Sequence, residues 1–137
     1  MKYFTIRELT SSATAVRKGI DNTPDERVKA NLKALVANVL DPLRERYGKP
    51  IVVTSGYRCE KLNRAVGGAK NSQHVTGEAV DIRSVSDRVA DNKALFDLVL
   101  KLGLPFDQLL DEYGYDWIHI SYKQGGNRRQ VLHVKKK

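Results

Sequence analysis

Two segments, Ser72-Gln73-His74-Val75-Thr76-Gly77-Glu78-Ala79-Val80-Asp81 and Trp117-Ile118-His119-Ile120-Ser121, carry two of the three histidines in the chain. His74, Asp81 and His119 supply two imidazoles and one carboxylate, the donor set of a mononuclear zinc site. Three protein ligands leave a fourth tetrahedral position for water, which separates a catalytic zinc from a closed, four-ligand structural one. Zinc held in this way acidifies water and polarises a carbonyl. Hydrolysis of a peptide or amide bond needs one further group, a carboxylate that takes the water proton and returns it to the leaving amine. Asp116, three residues before His119, ranks first for that role by proximity. Glu112 ranks second, with Asp111 beside it. Strand residues an odd number apart face opposite sides, so Asp116 reaches the metal only where the chain bulges around Asp116-Trp117.

Arg58 follows a Ser55-Gly56 turn, a place from which a guanidinium could clamp a substrate carboxylate in bidentate fashion or form a structural salt bridge. Ser72 and Gln73 could offer hydrogen bonds to substrate beside the metal. His133, on a terminal segment without an acidic neighbour in sequence, reads as surface or packing, and Trp117 as core or pocket wall. Cys59 reads as a small semi-buried side chain, since nothing in the sequence orients a base toward it as a nucleophile.

These residues need a scaffold. Ala79 to Arg83 alternates, with Ala79, Asp81 and Arg83 on one face; Trp117 to Tyr122 alternates likewise, with Trp117, His119 and Ser121 together. Two such strands, paired, would bring Asp81 beside His119, while the glycine-containing turn after His74 folds that residue back over the strand. Thr5-Ile6-Arg7-Glu8 and Thr23-Pro24-Asp25-Glu26 have capping-box spacing, the second with Pro24 at the first helical position. From Val28 through Leu32, Leu35, Val39 and Leu43 to Tyr47 the apolar residues follow a helical period, which Pro42 should kink or split. Ile51 to Ser55 reads as a strand, and Tyr57 to Asn71 as a loop with a helical turn around Glu60 to Ala65. A helix opened by Ser86 or Asp91 should point Leu95, Leu98, Val99 and Leu102 inward and stop at Gly103. Phe106 to Leu110 and Val131 to Val134 read as strands, with a hairpin turn at Gly114. This order implies an α+β fold, a small, mostly antiparallel sheet with helices packed on one side.

A chain of 137 residues with 41% hydrophobic content suits one domain, taken as residues 1–137. One cysteine excludes an internal disulfide and a thiolate zinc cluster. The formal charge of +8, partly concentrated in Asn127-Arg128-Arg129 and a frayed, solvated Lys135-Lys136-Lys137 end, suits nucleic acid, an anionic wall polymer or a merely solubilising surface. No zinc-finger or RNA-recognition motif accompanies it, and no apolar run approaches a membrane span or a secretion signal. A monomer without nucleic-acid or membrane partners is expected.

The SQHVTGEAVD and WIHIS segments belong to a broader pattern that also includes Phe4-x-x-x-Glu8-Leu9, Thr54-Ser55-Gly56-Tyr57-Arg58, Leu62-Asn63, Val66-Gly67-Gly68 and Phe106-Asp107-Gln108-Leu109. Across nearly the whole chain this resembles the zinc D-Ala-D-Ala carboxypeptidase family of peptidoglycan peptidases, which includes phage L-alanyl-D-glutamate endopeptidases and shares its fold with the Hedgehog signalling domain. The resemblance implies zinc at His74, Asp81 and His119, a substrate-carboxylate role for Arg58, and hydrolysis of a stem-peptide bond in bacterial peptidoglycan. Relatives with Glu or Asp three residues before the last histidine use it as general base, the slot of Asp116; others differ there, which keeps Glu112 in play. Without a signal peptide, such a protein would stay cytoplasmic until released as a phage or prophage lysis enzyme, or reach the wall by another export route. The alternative is a catalytically inactive, zinc-containing wall-binding module.

Overall fold

The structure, a computed structural model, describes residues 1–135. Lys136 and Lys137, part of the charged tail, lie outside the described residues. Thr5 caps helix α1 (Ile6–Thr10), its hydroxyl accepting from Glu8 N at 3.1 Å. A second short helix, α2 (Ala13–Lys18), was not expected. Ser12 caps it and Gly19, at φ 63°, closes it, but Ala15 is its one buried residue, so no apolar stripe marks it in the sequence. Helix α3 (Glu26–Leu35) begins two residues later than the Thr23 capping box implies. Thr23 is drawn back to Asp21, whose carboxylate accepts from its amide and its hydroxyl, and Asp25 accepts from Val28 N at 2.8 Å as the actual cap.

The long α-helical run is divided just ahead of Pro42, as expected, though the backbone stays helical across the division. A π-helical turn (Val36–Leu40) widens the backbone just ahead of it, and α4 (Asp41–Tyr47) continues with Pro42 at its second position. The amide of Asp41 reaches back five residues to Val36 O. The wider turn makes room for a ring that would otherwise press on the carbonyl four residues earlier. Leu32, Leu35, Val39 and Leu43 are fully buried along this run.

Strand β1 (Ile51–Ser55) is followed by α5 (Glu60–Ala65), β2 (Ala79–Ser84), α6 (Val89–Lys101), β3 (Gln108–Glu112), β4 (Trp117–Ser121) and β5 (Gln130–Val134). The sheet order is β1-β2-β4-β3-β5, antiparallel except for the β3–β5 pair. One face, with Val80, Ile82, Leu109, Ile118 and Ile120, is buried in a single core with α3, α4 and α6. The fold is therefore α+β. The alternate residues, Asp81, His119, Leu110 and Glu112, share the opposite face.

Two boundaries differ from expectation. Helix α6 has Arg88 at its N-cap, because Ser86 lies outside the helix, accepting from Arg88 N and donating to the Asp91 carboxylate. Strand β3 starts at Gln108 and not at Phe106, since Asp107 is engaged by side chains and its amide bonds to Ser121 O outside the ladder. No described helix is long and apolar enough to cross a membrane.

Candidate metal centre

In the β2–β4 ladder, Asp81 and His119 are direct cross-strand partners, and His119 Nδ1 lies 3.0 Å from Asp81 Oδ1. The same oxygen is 3.4 Å from Nε2 of His74, which reaches it from the loop before β2. Two groups bonded to one tetrahedral ion at ~2.05 Å sit ~3.3 Å apart, so these separations suit a shared zinc. The three donor atoms lie within 4.8 Å of one another, and the two imidazoles meet edge to face at 5.1 Å.

The loop histidine is fixed from behind. His74 Nδ1 is 2.7 Å from the carbonyl oxygen of Gly56. A carbonyl can only accept, so Nδ1 carries a proton, and Nε2 is the ring atom turned toward Asp81. Gly77, at φ 77°, turns the loop back, and a Cβ there would lie 2.9 Å from Val28 O and Val28 Cγ1 on α3. His74 is consequently 2% exposed. Burial pushes the Asp81 pKa up, but hydrogen bonds and charge from His119 and His74 outweigh it and hold the carboxyl well below the usual range. Two nitrogen donors and an ionised oxygen donor are what a borderline-soft divalent ion such as zinc takes.

Gly56 links this ligand to the scaffold. A Cβ at Gly56 would stand 2.0 Å from Leu9 O, and Tyr57 N donates to that same carbonyl at 2.8 Å. Gly56→Ala should therefore destabilise the fold by about 3 kcal/mol, since backbone and not a flexible side chain must move. Denaturant unfolding reads this directly, and a midpoint within error of wild type would refute the tight approach.

The candidate acids lie in different surroundings. The register Leu110↔His119, Glu112↔Trp117 puts Glu112 on the same face as His119. Burial raises its pKa, and the charge of Asp81 raises it further. Asp116 lies one residue outside β4, in a turn at 113–116 whose Tyr113, Gly114 and Tyr115 all have positive φ. Its amide donates to Glu112 O at 3.0 Å, and its carbonyl accepts from Asn92 Nδ2 at 3.3 Å. Asp111 points to the core face, where it contacts His133, its register partner on β5. His133 thus does have an acidic neighbour, contrary to the expectation from sequence, because parallel pairing brings together residues 22 apart.

Arg58 is half-buried, and its amide donates to His74 O at 3.0 Å. It lines a cavity of ≈ 480 Å³ with Glu8 and Ser55, and its buried Nε has no partner among the described residues. Burial lowers its pKa, while the charge of Asp81 raises it. The Ser72 hydroxyl accepts from His74 N at 3.2 Å. Ser72 and Gln73 line a second cleft, of ≈ 350 Å³, with His119 and Glu112. Cys59 is partly buried, and its sulfur caps α5.

Arg128, which lines that second cleft, and Asp107 behind it escaped the sequence reading as a pair. Asp107, fully buried, accepts from Arg128 Nε and Nη2 at 3.0 and 2.8 Å and from Gln73 Nε2 at 2.9 Å. Both residues stand in stretches noted from sequence, but nothing local joins positions 21 apart.

A His-Asp-His cluster on the open face of a small α+β sheet, beside a cleft lined by Glu112, has the layout of a metallopeptidase centre. The family model described as Peptidase M15 matches residues 2–121, and the chain belongs to that family. Among curated proteins, none matches the chain.

Proposed function

We propose that this protein is a zinc-dependent peptidase that hydrolyses a peptide bond in the stem peptide of bacterial peptidoglycan. The observation that carries the proposal is the convergence of His74 Nε2 and His119 Nδ1 on one oxygen of Asp81 within a Peptidase M15 chain. These three residues would hold the zinc. The ion, when bound, supplies Lewis acidity to the scissile carbonyl and to water.

The remaining work belongs to the chain. Glu112 shares the face of His119, and its burial favours the protonated state, so it suits a group that accepts a proton and passes it to the leaving amine. Asp116 stays the competing candidate, from its turn before β4. Arg58, whose buried Nε has no partner among the described residues, binds a substrate carboxylate from the β1 side. Ser72 holds the His74 loop through the amide it accepts from, and Gln73 offers its side-chain amide to the peptide in the cleft.

The test is digestion of purified cell wall by zinc-loaded protein, with release of new amino termini followed and the product peptides identified by mass. Cleavage should stop with chelator and return with added zinc, and the product masses identify the bond. A zinc-loaded, folded protein that binds wall but leaves every stem peptide intact would support the inactive binding module instead.

A further inference from the structure

Arg128 lies beyond residue 121, the last matched by the family model, yet it forms part of the cleft beside the metal centre. Its guanidinium is set by Asp107, a fully buried carboxylate that binds its Nε and Nη2 and also accepts its backbone amide at 3.0 Å. That pairing occupies one edge of the guanidinium and leaves Nη1 on the other side, on a side chain 56% exposed. The same carboxylate takes Gln73 Nε2, which fixes the amide and leaves Gln73 Oε1 buried without a partner among the described residues. The two residues that carry this spare donor and this orphaned acceptor, Arg128 and Gln73, line the same cleft as His119 and Glu112. A peptide presents the matching groups, a side carboxylate and a backbone N–H.

The strand order separates this corner from Arg58. Arg58 follows β1, whereas Arg128 packs against the start of β3, and β2 and β4, which carry Asp81 and His119, run between them. Three interstrand gaps of about 4.8 Å make ~14 Å, the length of about four extended residues.

We propose that Arg128 and Gln73, held by Asp107, form a second carboxylate-reading subsite, across the metal centre from Arg58, so that the preferred substrate is a short peptide carrying a carboxylate on each side of the cleaved bond. The proposal rests on the peptidase reading for its substrate class, but the subsite itself is a matter of binding.

The test uses a wall stem tetrapeptide and versions in which each carboxylate is converted singly to a carboxamide. Equilibrium binding is measured on the full chain stripped of metal, and kcat/KM on the zinc-loaded protein. Charged hydrogen bonds of this kind are worth ~10-fold or more in affinity, so amidation of one carboxylate should weaken wild-type binding by that factor. Arg128→Gln should abolish that sensitivity and keep the sensitivity to the carboxylate lost in Arg58→Gln. Because Arg128→Gln leaves a buried carboxylate without its counter-charge, Asp107→Asn with Arg128→Gln is the companion variant, in which no ionised group is left buried at that point. Full wild-type sensitivity to every carboxylate in the folded double variant, or equal weakening toward all the peptides, would overturn the subsite. Failure of the peptidase reading looks different: no peptide is cut by the zinc-loaded wild type, while the binding differences remain.

Discussion

His119→Ala should leave a folded protein that no longer retains zinc and no longer hydrolyses wall peptides. The two flanking residues, Ile118 and Ile120, keep β4 in the core, and His119 faces away from them, so the unfolding midpoints of the metal-free wild type and variant should differ little. Loss of one of three donors removes Lewis-acid stabilisation worth several kcal/mol, and hydrolysis should fall by at least ~1000-fold. Metal analysis after dialysis, alongside rates on purified wall, checks both parts. If the variant keeps one zinc per chain, the ion is held elsewhere and the cluster of His74, Asp81 and His119 is not its site.

The second large effect concerns the acid. Glu112→Gln should lower kcat by ~100- to 10,000-fold, the usual contribution of a positioned general base, with zinc content and fold unchanged. Asp116→Asn should change kcat by less than about tenfold on the same scale. The contrast follows from position. Glu112 is on the ladder face that carries His119, whereas Asp116 sits in the turn outside the ladder, its main chain bonded to Glu112 and Asn92. The reverse ranking of the two variants would transfer the role to Asp116.

How far the sequence discloses this molecule depends on whether the relevant periodicity is local. The period-two alternation in β2 and β4 places Asp81 and His119 on a common face, and the structure pairs them directly. The long apolar stripe from Val28 to Leu43 is equally legible, because every member meets the same core. Helix α2 is not, since it buries little more than Ala15. Thr23 and Asp25 both look like caps, and the choice turns on Asp21, which captures Thr23. The pairs Asp111–His133 and Asp107–Arg128 depend on β5 lying parallel to β3, a tertiary decision that no short window records. The face of Glu112 likewise becomes definite only with the β3–β4 register, because sequence proximity favours Asp116.

The addition of β5 beside β3 has a wider consequence. Arg128, outside the family match, lines the far border of the cleft, while His74, Asp81 and His119 lie on inner strands and a loop well inside the match. A substitution at Arg128 changes what lines the cleft without touching the cluster of His74, Asp81 and His119. The two strands of that cluster and the added β5 share one sheet, separated by the width of β3.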